Sequence, residues 1–170
     1  MTRRALVTGG NRGIGRAIAE GLVARGLEVM IGCRDAESGV AVAEEIGAEL
    51  IFCDLSEPAC LPPEAANLDV LVNNAGVLFD APLLSRKARF DETLQVMVHA
   101  PYALIRLAAP WMRQQGYGRI VNLSSGWGSF DEGLEGPGAY GIAKAALNAL
   151  TVAAARELPD NVKVNAMCPG

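Results

Sequence analysis

Tyr140 and Lys144 stand four residues apart in the run Tyr140-Gly141-Ile142-Ala143-Lys144, so on a helix they share one face and an ammonium lies beside a phenol. The cation favours phenolate. Free tyrosine titrates at about 10, and moving it to about 7 takes roughly 4 kcal/mol, within reach of a close cation in a partly dry cleft. A phenol tuned in this way can give a proton to an oxygen that is gaining charge and take it back in the reverse direction. A second set of residues suits a different task. Thr8-Gly9-Gly10-Asn11-Arg12-Gly13-Ile14-Gly15 is rich in glycine and directly follows the apolar Ala5-Leu6-Val7. Side chains would block phosphates there, whereas glycines admit a tight turn (Gly9), a close ligand and a packed helix (Gly13, Gly15), and a helix N-terminus offers unpaired N–H groups. The competing reading is a tight strand-to-helix connection. Without Gly-Lys-Ser/Thr it is not a nucleoside-triphosphate loop.

These residues need elements to hold them. Short β-branched runs alternate with longer helical patterns: strands at 5–8, 28–33, 49–53, 70–73, 119–124 and 162–166, and helices at 14–25, 37–46, 90–114 and 140–156. Alternation of this kind predicts an α/β, doubly wound, three-layer sandwich around a parallel sheet with right-handed crossovers, six strands of it readable. In that frame the glycine turn follows the first strand, Asn73-Asn74-Ala75-Gly76 the fourth, and Ser124-Ser125 ends the fifth, all at one edge of the sheet with Tyr140 and Lys144. A strand whose closing glycines open a helix is where such a sheet holds a pyrophosphate. Pro101 inside the long helical pattern predicts a kink. Pro58, Pro62 and Pro63 limit the 55–69 connection to a short turn of helix.

Composition removes other classes. The chain of 170 residues is 51% apolar, enough for the core of one domain. Its net charge of −4, with no basic run, argues against nucleic acid. No apolar stretch long enough for a membrane span or a signal-peptide core is present, so the expected compartment is the cytoplasm. Cys33, Cys53, Cys60 and Cys168 match no paired metal or redox spacing and are read as buried free thiols. His99 is the single histidine, so no metal site is expected, and a structural role suits it better than a catalytic triad. Leu123-Ser124-Ser125-Gly126-Trp127 lacks the Gly-x-Ser-x-Gly elbow of a hydrolase.

Thr8-Gly9-x-x-x-Gly13-x-Gly15, Asn73-Asn74-Ala75-Gly76, the serine pair and Tyr140-x-x-x-Lys144, in this order, make the chain resemble the short-chain dehydrogenase/reductase family over essentially its whole length, in its compact single-domain form. The resemblance implies hydride transfer between a nicotinamide dinucleotide and a carbonyl or alcohol, with Tyr140 as general acid/base, Ser125 bonded to the reacting oxygen, and Lys144 on the nicotinamide ribose. It implies cofactor contacts from Gly9, Asn11, Arg12, Gly13, Ile14 and Gly15, from Asp54 at the adenine amino group with Leu55 beside it, from Asn74, Ala75 and Gly76, and from Pro169 and Gly170 beside the nicotinamide. Asn73 ties neighbouring strands and Ser124 caps its strand. Homodimers or homotetramers formed through the helices at 90–114 and 140–156 are also implied.

One departure stands out: Met97 occupies the slot where the family commonly carries an asparagine that holds a water in the proton relay. His99 points about 200° around the helix and does not replace it. A catalytically weak or inactive NADP(H)-binding sensor or structural subunit therefore stays open beside the enzyme. The loop from Gly126 to Gly138 carries Asp131, Glu132 and Glu135 and no basic residue, which predicts a neutral carbonyl substrate over polyanionic thioesters, while Trp127 and Phe130 suit apolar contact or loop packing. Arg34, first after the second strand, and Arg12 could clamp a 2′-phosphate, which places NADP(H) ahead of NAD(H), with Asp35 read as a helix cap. Residues 1–170 are expected to form a single dinucleotide-binding domain whose natural polypeptide runs on past Gly170 through a substrate loop and a further strand.

Overall fold

The computed structural model describes residues 2–58 and 60–170. In β1 (Arg4–Thr8) successive side chains must point to opposite faces, and both faces are apolar: Leu6 joins one buried cluster, Ala5 and Val7 the other. A strand of this kind belongs in the middle of a sheet covered on both sides. β1 accordingly pairs in parallel with β2 (Glu28–Cys33) on one flank and β4 (Val70–Asn73) on the other. β3 (Glu49–Phe52) closes one edge, and β5 (Gly118–Leu123) and β6 (Val162–Met167) complete the other, giving the order β3-β2-β1-β4-β5-β6. All pairs are parallel.

Helices α1 (Gly13–Val23) and α2 (Ala36–Ile46) cover one face, where Ala19, Val42 and Ala43 pack with Val29, Ile31 and Val72. The other face is covered by α3 (Phe90–Leu94), α4 (Ala100–Gln115) and α5 (Tyr140–Glu157), with Leu104, Met112 and Ala143 against Leu71 and Ile120. Asp35 caps α2, its carboxylate accepting from the Ser38 N–H at 3.1 Å, as its position before the helix requires. Among its described residues the 55–69 connection holds only a 3₁₀ turn, Pro63–Asn67, with Pro63 at its start.

The long helical pattern departs from expectation. The irregularity lies ahead of Pro101, as a π turn over Gln95–His99 that separates α3 from α4 and in which the Ala100 N–H reaches back to the Gln95 carbonyl. Pro101 has no N–H to give to the carbonyl of Met97, and the chain meets that missing bond by widening the preceding turn. The thiols differ as well. All four are free; Cys33 and Cys53 are buried, but Cys60 is half-buried and Cys168 exposed, because it follows the end of β6. His99 is exposed.

Candidate active site

The strand order reverses between β1 and β4, so the connections leaving their C-terminal ends diverge and leave a crevice. A cleft of about 510 Å³ opens there, lined by the glycine turn, the ends of β2 and β3, and Asn74 to Val77. Gly9 has φ +65° and Gly13 φ +53°, the left-handed region that favours glycine, and a Cβ on Gly13 would meet nothing within 4 Å. Gly15 serves packing: a Cβ there would run into the Gly9 carbonyl group, whose carbon is 3.0 Å away. α1 starts without a side-chain cap and without an acidic residue in its first turn. Its first N–H groups and the positive end of its dipole therefore face the cleft unclaimed, as an anion requires.

Thr8 and Asn74 lock this turn to the neighbouring strand. The Thr8 hydroxyl accepts from the backbone N–H of Asn74 and Ala75, both at 3.0 Å, and the Asn74 amide donates to the carbonyls of Thr8 at 2.9 Å and Gly9 at 3.3 Å. Asn74 thus shapes the cleft through the backbone it holds. Asn11 donates to the Ser38 hydroxyl at 2.9 Å and ties the turn to α2. Asp54 accepts from the N–H and hydroxyl of Ser56 at 3.0 and 2.7 Å; these bonds, with a smaller contribution from Arg34, hold its carboxyl below the usual range. Arg12, Arg34 and Asp35 are exposed and line the cleft, and Leu55 lines it as a buried residue.

A second group stands at the ends of β5 and β6. Asn73 donates to Asn122 at 2.8 Å across β4 and β5, and Asn122 to Thr151 of α5 at 2.8 Å, so a buried amide chain fixes the sheet beneath α5. Ser124 donates its N–H to the Met167 carbonyl at 2.7 Å, holding β5 and β6 together at this end. Lys144 is buried, with 4% exposure, and its ammonium donates to the Leu123 carbonyl. The ammonium sits 5.5 Å from the Tyr140 ring centroid. Trp127 meets the same ring edge-on, with centroids 5.8 Å apart and planes at 82°.

The electrostatics run against the simple expectation for a phenol beside a cation. Burial raises the Tyr140 phenol above its ordinary range, and a hydrogen bond with Ser125 opposes that only in part. Burial also pushes the Lys144 ammonium down to about 8. The cause is loss of water by both groups, and the ammonium is directed at a backbone carbonyl and not at the phenol. A neutral phenol is thus the resting form at neutral pH.

Of the residues anticipated from sequence, Gly9, Asn11 to Gly15, Arg34, Asp54, Leu55 and Asn74 to Gly76 line one cleft. Ser125, Tyr140 and Lys144 form a separate cluster outside that lining. Pro169 and Gly170 are exposed beyond β6 and do not line the cleft. Gly32, Ser56, Val77 and Val96 line it without having been singled out, and Cys33 and Cys53, read from sequence only as buried thiols, line it as well; the signal for Thr8 was a polar residue closing an otherwise apolar strand. Met97 is buried, with its thioether sulfur 4.0 Å from the position of a Cβ on Gly76, and forms part of the core. Among the described residues, no group of three or more His, Cys, Asp or Glu is arranged to hold a metal ion, and no helix is long and apolar enough to cross a membrane.

The family model for short chain dehydrogenase matches residues 3–170. A 3-oxoacyl-[acyl-carrier-protein] reductase of Staphylococcus aureus is 37% identical over 185 aligned positions, covering 100% of this chain and 74% of the relative. Among solved structures, a metagenomic short-chain oxidoreductase in complex with NADP superposes with a TM-score of 0.87 at 38% identity, over 99% of this chain and 82% of the other. A bulky-bulky ketone specific alcohol dehydrogenase from Comamonas testosteroni does so with a TM-score of 0.87 at 28% identity, over 98% and 71%. With this match over nearly its whole length, a glycine-lined cleft at the strand switch point and Tyr140 one turn from Lys144, the chain belongs to the short-chain dehydrogenase/reductase family of oxidoreductases.

Proposed function

We propose that this protein uses NADP(H) to interconvert a neutral carbonyl compound and its alcohol, with Tyr140 as general acid/base. The observation that carries the reading is the cluster of Ser125, Tyr140 and Lys144 beside a cleft whose uncapped helix N-terminus and two arginines suit a phosphorylated dinucleotide. The relative solved with NADP supports the choice of cofactor. Gly13 to Gly15 would hold the pyrophosphate through backbone N–H groups, Arg12 and Arg34 the 2′-phosphate, and Asp54 and Leu55 the adenine end. When bound, the reduced cofactor supplies a hydride to the carbonyl carbon. Ser125 donates a hydrogen bond to the carbonyl oxygen, and Tyr140, held as a neutral phenol by burial, gives that oxygen its proton. The nearby Lys144 ammonium stabilises the phenolate left behind. Reprotonation from solvent completes the cycle.

The carbonyl reductase type of substrate is favoured over a carrier-bound thioester by the loop after β5. Asp131, Glu132 and Glu135 are all exposed on it, and it carries no basic residue to meet an acidic carrier. In the reading proposed, residues 1–170 act as one dinucleotide-binding domain. One observation favours a second reading: Met97 offers no donor or acceptor for a relay water, which suits a cofactor-binding sensor with weak turnover. NADPH consumption with a panel of aldehydes and ketones separates the two. Tyr140→Phe is expected to lower kcat by about a thousandfold while leaving dinucleotide affinity within a few-fold. A phenylalanine variant that kept most of the wild-type rate would remove Tyr140 from the acid role.

A further inference from the structure

Cys168 is the first residue past β6, and the sheet decides which way it faces. Met167 pairs with Leu123 in parallel register, so Ser124 and Cys168 come next, side by side, at the ends of β5 and β6. Leu123 packs in the cluster covered by α1 and α2, whereas Val162 and Val164 pack in the one covered by α5. Alternation along the two strands therefore turns Ser124 and Cys168 to the α5 face, where Tyr140 and Lys144 stand. Electrostatics agree with this placement. After burial, a charge on the Cys168 sulfur is the next influence on the Lys144 ammonium, and it reaches the Tyr140 phenol too, behind burial and the Ser125 hydrogen bond. Ser124 adds a second sign of a ligand: the residue is 7% exposed, and its hydroxyl oxygen has no hydrogen-bond partner among the described residues. A buried hydroxyl in that state calls for a polar group from a bound molecule.

The four cysteines differ in what they can react with. Cys33 and Cys53 are buried and burial raises both thiols, Cys53 to about 12, which leaves little thiolate. Cys60 is half-buried in the connection from β3 to β4. Cys168 is exposed and belongs to the same cluster as Ser125 and Tyr140. Hydrogen bonds from those two groups draw electrons onto a carbonyl oxygen. In a saturated ketone the carbonyl carbon alone becomes electron-poor, but in an α,β-unsaturated one the β-carbon shares the deficit, and that carbon is the one a thiolate attacks.

We infer that Cys168 is a covalent modification site for α,β-unsaturated carbonyl compounds, which enter as the substrate does and are captured at the β-carbon. This rests on the carbonyl-oxygen role of Ser125 and Tyr140 proposed above. In the step the thiol gives its proton to solvent, the sulfur bonds to the β-carbon, the C=C π pair shifts towards the carbonyl, and Tyr140 protonates the oxygen and is reprotonated from solvent. The enol returns to the ketone, so a thioether forms with no oxidant or reductant consumed. The test treats the protein, with no dinucleotide added, with limiting methyl vinyl ketone or with acrylonitrile, a thiol acceptor of similar size without a carbonyl oxygen. Peptide mass mapping is expected to show the ketone labelling Cys168 about ten times faster than Cys60 or more, and the nitrile a preference several-fold smaller. Tyr140→Phe should reduce the ketone's preference to that of the nitrile. NADPH oxidation with a saturated ketone should fall in step with the Cys168 adduct, while treated Cys168→Ser keeps most of its own untreated rate. Equal labelling of Cys168 and Cys60, a preference unchanged in Tyr140→Phe, or a Cys168→Ser variant inactivated as fast as wild type would each overturn the assignment. Labelling that depends on Tyr140 in a protein that oxidises NADPH with no saturated ketone would uphold the site and remove the hydride-transfer reading.

Discussion

Lys144 keeps an ammonium in a place with 4% exposure, where burial pushes it down to about 8 from 10.5. Between those two values the unfolded chain binds the proton and the folded chain does not, so stability rises with pH across that window and is lost as pH falls through about 8. The group therefore weighs against the fold at neutral pH. Cys53, raised to about 12 by its own burial, acts in the opposite sense between 9 and 12. Comparison of wild type with Lys144→Met at each pH cancels the cysteine. Urea unfolding is expected to show wild type gaining about 3 kcal/mol relative to the variant between neutral pH and pH 10.5. Parallel curves would mean that the amine keeps its ordinary affinity for a proton. Tyr140 shows the same competition in milder form, since its burial outweighs the Ser125 hydrogen bond.

At the scale of the element, the connection from β1 to α1 uses its glycines for different ends. Gly13 faces open space, so Gly13→Ala costs the left-handed φ alone, about 1 kcal/mol. Gly15→Ala drives a methyl into backbone and is expected to cost about 1–3 kcal/mol and to shift the turn against its ligand. Thermal unfolding with and without NADPH should show the Gly15 variant losing most of the ligand-induced shift, and equal losses in the two variants would contradict the division. The turn was legible because glycine content, strand and helix coincide in a few residues. The six strands were legible too, each within a residue of its expected bounds; β1, β2 and β4 because both faces are buried and the apolar runs are nearly unbroken, and the edge strands β3 and β6 from shorter β-branched or alternating runs. Tyr140 begins α5 as its pattern required. The π turn was not legible: a proline tells that a bond is missing, but packing decides where the helix gives way. Nor could spacing show that the Lys144 ammonium turns to the Leu123 carbonyl, 21 residues away, or that Glu132 folds over Gly126, which depends on the turns the loop adopts.

For the molecule as a whole, α4 and α5 each leave apolar side chains outside. Tyr102 is 48% exposed and Val152 51%. Pairing of these helices with those of a second copy would cover them, and a homodimer or homotetramer is proposed on that ground. Sedimentation equilibrium is expected to give an integral multiple of the chain mass, and Val152→Glu to weaken the assembly; a monomer at micromolar concentration would count against it. The sheet order carries a further consequence, for synthesis. β1 is made first yet ends at the centre, and the N–H of Arg4 finds its acceptor on Asp69, 65 residues later. While a ribosome extends the chain from β3 towards β4, one flank of β1 stays bare, presenting the unpaired backbone of Ala5, Leu6 and Val7. Closure over such a separation is slow, and an open apolar strand edge invites pairing with a neighbouring nascent chain. The interval before Val70 to Asn73 emerges is thus when this protein has most need of a chaperone, and a pause in translation there would lower the folded yield more than the same pause after β4 has docked.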